Sequence, residues 1–281
     1  MHKFEEYLLS FSDLQYRINE IVNTKKRQEV LSDIKKNILG LIDLTTLSGT
    51  DNTKNVKALC TQGLSYSNKE KGIPNVAAIC VYPFFAKLVS DCLADSDLKT
   101  ACVAGAFPSG QSPLNLRLAE VDYCIAEGAN EIDMVISRGK LLEGDYDFVF
   151  DEIKKTKVVC GDVHLKVILE TGELKEESLI RKASEIAILA GADFLKTSTG
   201  KISPAATLEA FIIMLDTIKE YYDNTGIMIG IKAAGGISSF EEALKYYLLV
   251  EKILGDKWLN KNYFRIGASR LADNVYNAIN N

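Results

Sequence analysis

Short apolar runs alternate with longer amphipathic segments along most of the chain. The runs "ILGLIDLTTL" (38–47), "VAAICVYP" (76–83), "TACVAGAFP" (100–108) and "EIDMVI" (131–136) predict four strands. "HLKVILET" (164–171), "ADFLKTST" (192–199), "GIMIGIKAAGG" (226–236) and "YFRIGAS" (263–269) predict four more. Between them, stretches such as "PLNLRLAEVDYCIAEGA", "KEESLIRKASEIAILAGA" and "SFEEALKYYLLVEKIL" space their apolar residues three and four apart, as one buried helix face requires. Strand followed by helix, repeated over residues 36–281, predicts an α/β fold of the (β/α)8 TIM-barrel type. A doubly wound open sheet fits less well, because no G-x-G-x-x-G follows the first strand.

Residues 1–35 stand outside this alternation. Phe4, Tyr7, Leu8, Phe11, Leu14, Ile18, Ile21 and Val22 recur at helical spacing, so the pattern predicts an N-terminal helical extension packed on the barrel. The basic cluster "KKRQE" interrupts it and reads as a solvated turn or helix surface.

Strand side chains alternate between faces, and in a barrel the outward face packs on helices while the inward face leads to the mouth at the strands' C-terminal ends. Ile132, Met134 and Ile136 share one face of the fourth strand, leaving Glu131 and Asp133 on the other. Leu165, Val167 and Leu169 leave His164, Lys166 and Glu170; Ile227, Ile229 and Ile231 leave Gly230 and Lys232. Ile42 and Leu44 oppose Asp43 and Thr45. Asp43, Asp133, Lys166, Glu170 and Lys232 therefore converge on the interior. The sixth strand is undecided, because Asp193 and Leu195 alternate with Phe194 and Lys196. For each of these residues alone, a structural ion pair explains the charge as well as catalysis does.

Composition narrows the chemistry. The hydrophobic fraction of 47% and charged fraction of 25% belong to an ordinary soluble protein with a sizeable core. A net charge of −5 argues against nucleic acid and anionic membranes as partners. Six cysteines without C-x-x-C spacing read as reduced thiols of a cytoplasmic protein. With two histidines, His2 and His164, no metal site is expected. No run is long enough to span a membrane, and the acids in "MHKFEEYLLSFSD" exclude a signal peptide.

Two lysines in one low-dielectric mouth make a specific reaction possible. Burial and a like charge both push a lysine toward the free amine, which condenses with a carbonyl to an imine. A carboxylate such as Asp133 can then move protons. Glycine-bearing turns follow the last three strands: "TGK" (199–201), "AAGGIS" (233–238) and "IGAS" (266–269). Their backbone amides can cradle a phosphate.

Taken together, "LIDLTTL", "AAICVYP", "EIDMVI", "LKVILETGEL", "IRKASEIAILAGADFLKTSTGK", "IGIKAAGGI" and "FRIGAS" resemble the deoxyribose-phosphate aldolases, in order, from about residue 40 to 275. The resemblance implies a class I aldolase, needing no metal or other cofactor, that cleaves 2-deoxy-D-ribose 5-phosphate to acetaldehyde and D-glyceraldehyde 3-phosphate. It implies Lys196 as the Schiff-base lysine, Asp133 as the proton relay and Lys232 as the lysine that perturbs the first. It also implies a phosphate site at Thr199, Gly200, Lys201, Gly235, Gly236, Gly267 and Ser269. Asp43, Thr45 and Lys166 would line or support the mouth, and Cys80 would be a thiol near it. A homodimer is what the family suggests. The chain departs from the pattern at Arg270, where a second serine is common, and in "GGISS", which lacks an arginine. Another Schiff-base barrel, such as a transaldolase, and a non-catalytic sugar-phosphate-binding barrel are the alternatives.

Overall fold

A computed structural model describes residues 3–280; Met1, His2 and Asn281 lie outside the described residues. Eight parallel strands close into one barrel in chain order. They are β1 (Ile42–Thr45), β2 (Ala78–Val81), β3 (Lys99–Ala104), β4 (Glu131–Val135), β5 (His164–Ile168), β6 (Phe194–Lys196), β7 (Gly230–Ala234) and β8 (Phe264–Ala268). Each lies within or overlaps one of the expected runs, and β8 pairs back onto β1 through Asp43 and Gly267. The TIM-barrel expectation therefore holds. Among the described residues, no helix is long and apolar enough to cross a membrane.

The runs overstate several strands. Ile38 and Leu39 belong to a helix, and their burial makes the helix end read like the strand that follows. Glu170 takes a left-handed backbone with φ 55°, which ends β5 early. Residues 226–229 approach β7 outside the ladder.

Most of the core lies between barrel and helices, where Leu44, Ile79, Ile132, Leu165, Leu195, Ile231 and Ile266 are buried. Inside the barrel the filling is divided. Ala78, Cys80, Ala101 and Val103 of β2 and β3 form a small apolar cluster. The strands β1, β4, β5, β7 and β8 instead send Asp43, Glu131, Asp133, Lys166, Lys232 and Arg265 inward, all buried. One half of the barrel interior is thus packed like a core, and the other like a salt.

The N-terminal segment forms two helices, α1 (Phe11–Val22) and α2 (Gln28–Gly40), separated at the basic cluster. Ser10 and Asp13 cap α1 reciprocally. Leu14 and Ile18 bury its apolar face against the helices Leu208–Thr225 and Phe240–Ile253, worth roughly 1.5–3 kcal/mol per side chain. Arg17 grips Asp216 through both terminal nitrogens at 2.7 and 2.9 Å. Residues 3–10 are not helical, contrary to the periodicity. Phe4 and Tyr7 are apolar for another reason: they stack over the Arg181 guanidinium, at 5.0 and 5.4 Å. Leu8 is 79% exposed. Helix α2 runs through residue 35 and packs on the helix Leu271–Asn280.

Candidate active site

Lys196 points into the barrel. β6 registers Phe194 against Gly230 and Lys196 against Lys232, which resolves the parity that the sequence leaves open. A methyl group at position 230 would strike the Phe194 ring at 2.4 Å, so glycine is what admits the ring on the inward face. Lys196 Nζ donates to Asp133 Oδ2 at 2.7 Å, and Lys232 Nζ donates to the same oxygen at 2.7 Å. Lys166 donates to Asp133 Oδ1 at 2.9 Å and to Glu131 at 2.6 Å. Lys232 also bonds Asp43, and Asp43 accepts from Arg265 at 2.6 Å. Arg265 returns to Glu131 at 2.7 and 3.1 Å.

These contacts form a closed ring: Asp43, Arg265, Glu131, Lys166, Asp133 and Lys232, with signs alternating throughout. Lys196 hangs from it at Asp133. Burial draws the Lys196 amine down, and although Asp133 opposes this, the Lys232 charge adds to it, leaving Lys196 below its ordinary range. Burial acts the same way on Lys232, but Asp133 and Asp43 outweigh it and hold this amine above its ordinary range. Burial would raise Asp133, yet the three lysines keep its carboxyl well below the usual carboxylate range. Burial pushes the Cys80 thiol up, so the sulfur at the site is protonated and poorly nucleophilic.

Above Lys196 and Lys232 opens a cavity of about 310 Å³. Thr45, Thr199, Gly200, Lys201, Gly235, Gly236, Gly267 and Ser269 line it, as does Arg270. Asp43, Asp133 and Lys166 do not reach its wall; they lie beneath, in the ring. Arg265 and Glu131 are the residues that sequence reasoning did not assign to the site. Their signal was present, since Phe264, Ile266 and Ala268 alternate with Arg265 and Gly267 as in the other strands.

The hydroxylated run after Lys196 braces the mouth. Ser198 Oγ donates to the Ala234 carbonyl at 2.6 Å, while Thr197 Oγ1 accepts from the Ala234 amide at 3.0 Å. Thr199 bonds the buried Glu170 carboxylate through its amide at 3.1 Å and its hydroxyl at 2.5 Å. Gly235, with φ 92°, lies so close to the β6 loop that a Cβ would meet Ala205 at 2.5 Å and the Gly200 Cα at 3.1 Å. Lys201 crosses the mouth to the Leu47 carbonyl.

A TIM barrel with an amine of lowered basicity, a shared carboxylate and a second ammonium at its C-terminal mouth has the makings of an imine-forming lyase. The comparisons agree. A family model described as DeoC/LacD family aldolase matches residues 38–253. Deoxyribose-phosphate aldolases of Homo sapiens and Mus musculus are each 42% identical over 248 residues, covering 83% of this chain and 77% of theirs. Among solved structures, an aldolase called QR15 is 30% identical with a TM-score of 0.66, covering 84% of this chain and 94% of its own. The deoxyribose phosphate aldolase of Aeropyrum pernix, described as tetrameric, shares the fold with a TM-score of 0.67 at 22% identity, covering 97% and 99%. The chain belongs to the DeoC/LacD aldolase family.

Proposed function

We propose that this chain reversibly cleaves 2-deoxy-D-ribose 5-phosphate to acetaldehyde and D-glyceraldehyde 3-phosphate through an imine on Lys196, as a step of deoxyribonucleotide catabolism. The observation that carries the reading is the single Asp133 oxygen shared by Lys196 and Lys232, directly below a cavity of about 310 Å³. The neutral Lys196 amine attacks C1 of the open-chain aldehyde, and the carbinolamine loses water to an iminium. Loss of the C3 hydroxyl proton breaks C2–C3. The bond's electron pair enters the iminium to give an enamine, and C3 leaves as the aldehyde of glyceraldehyde 3-phosphate. Protonation of the enamine at C2 and hydrolysis release acetaldehyde and restore the amine. Asp133, which rests as the carboxylate, takes the C3 hydroxyl proton by way of a bound water and returns a proton to C2 of the enamine, and Lys232 is the charged partner next to it.

The phosphate would lie against the amides of Gly200, Gly235 and Gly236, with Thr199, Gly267 and Ser269 around it. Lys201 would exchange the Leu47 carbonyl for a phosphate oxygen. The helix Leu271–Asn280 begins immediately after Ser269 and Arg270, so its N-terminal dipole favours an anion there. Arg270 supplies the charge that a serine would not.

Borohydride reduction in the presence of acetaldehyde tests the assignment. It should leave an ethyl group on Lys196; labelling of another residue, or of none, rejects it. Turnover with ketone donors in place of acetaldehyde would move the reading to a transaldolase-like enzyme. The proposal includes a cytoplasmic homodimer, and light scattering that gives a monomer or tetramer mass would replace that part.

A further inference from the structure

We propose that Arg265, at the lower end of the barrel, is a positioning residue that sets the proton on Lys196 through the closed ion-pair ring. The inference rests on the imine reading above. Arg265 touches no part of the cavity; it lines the opposite opening with Lys99, Asn130, Asp162 and His164. Its Nε is held by the Lys261 carbonyl, and its two terminal nitrogens engage Asp43 and Glu131.

The ring accounts for every oxygen of its three carboxylates. Asp43 accepts from Arg265 and Lys232, Glu131 from Arg265 and Lys166, and Asp133 from Lys166, Lys232 and Lys196. With Lys166, Lys232 and Arg265 charged, the ring is neutral. Lys196 is the seventh group, and a proton on it would leave a net positive charge sealed in a low-dielectric interior. Of the four cationic side chains, Arg265 alone cannot shed its proton. Its permanent charge therefore passes the surplus to a lysine. Lys166 is held by three ring acids and Lys232 by two, whereas Lys196 has only Asp133. Lys196 is the group that gives way.

The directions of the individual groups agree: Lys166, Lys232 and Arg265 are held above their ordinary ranges, and Lys196 below. Facing Lys196 are Asp133 from β4, Lys232 from β7 and Cys80 from β2. Glu170, beyond β5, bonds Thr199 and stands outside the ring.

The test is the pH profile of borohydride-trapped imine formation with acetaldehyde. Imine formation needs the free amine, so its midpoint follows the Lys196 proton. Arg265→Gln leaves one acid in excess and should raise the midpoint by about one pH unit, the scale of two unit charges about 12 Å apart at an effective dielectric near 20. Glu131→Gln removes a negative charge and should lower it by a similar amount. The double variant Arg265→Gln/Glu131→Gln restores the count and should return the midpoint to the wild-type value. If Arg265→Gln does not fold, the downward shift of Glu131→Gln and the return in the double variant still decide. A purely structural arginine would slow the reaction equally at all pH values. Unmoved midpoints, shifts of one sign in both single variants, or no return in the double variant overturn the proposal. Failure to trap wild-type Lys196 at all would instead overturn the imine reading.

Discussion

Replacing Lys232 by methionine isolates the charge that this lysine places beside Lys196. Both amines lie 2.7 Å from one Asp133 oxygen, so their nitrogens are separated by no more than about 5.4 Å. At an effective dielectric near 20, two unit charges at about that distance repel by roughly 3 kcal/mol, or about two pKa units. Methionine preserves the length and apolar volume of the stem, and Gly267, whose Cβ would meet the Lys232 Cε at 3.0 Å, leaves it room. The variant should therefore form the acetaldehyde imine about 100-fold more slowly at pH 7, a loss that shrinks toward alkaline pH as Lys196 deprotonates. Rapid-quench borohydride trapping across pH measures this directly. A loss equal at every pH would mean that Lys232 acts by handing on a proton and not through its charge. No loss would remove it from the site.

Four further outcomes follow from the same geometry. Lys196→Met should abolish the trapped adduct and reduce turnover to background, read by intact mass and by the retro-aldol assay. Asp133→Asn keeps the shape of the carboxylate but removes its charge, and kcat should fall by about 10²–10⁴-fold with a smaller change in KM. Gly235→Ala puts a Cβ on a backbone of φ 92° and against Ala205, so KM for the phosphorylated sugar should rise more than KM for free deoxyribose. Asp43, Glu131 and Asp133 have folded-state pKa values below their unfolded ones. Their stabilisation is therefore complete above the unfolded carboxylate range near pH 4 and is lost as pH falls below it, which urea midpoints at neutral and acid pH will show.

The strands were legible because their outward faces must be aliphatic to meet the helices, while the inward faces carry charge, as in "EIDMVI" and "GIKAA". That contrast marks Asp43, Asp133, Lys166 and Lys232 without any knowledge of register. It assigns a face and not a height along the barrel axis, which is why Asp43 and Lys166 were expected at the mouth but lie below it. Lys196 was undecided because its inward neighbour is Phe194, and a large ring inside a barrel looks like an outward residue until Gly230 is seen opposite. Arg265 escaped because its meaning comes from Asp43 and Glu131, 222 and 134 residues away. At the N-terminus, Phe4 and Tyr7 mimic helix periodicity while serving a single guanidinium.

The clasp of Thr197 and Ser198 on Ala234 has a consequence for substrate length. It joins the strand that carries the amine to the strand that carries Gly235 and Gly236, so the two cannot slide past each other without breaking three hydrogen bonds. In the proposed reaction one end of the sugar is covalently pinned at Lys196, and the other is held at the glycine turns. The molecule then works as a gauge with fixed jaws. A sugar phosphate one carbon longer or shorter would have to bend or leave one jaw empty, and selectivity for chain length would come from the stiffness of the mouth.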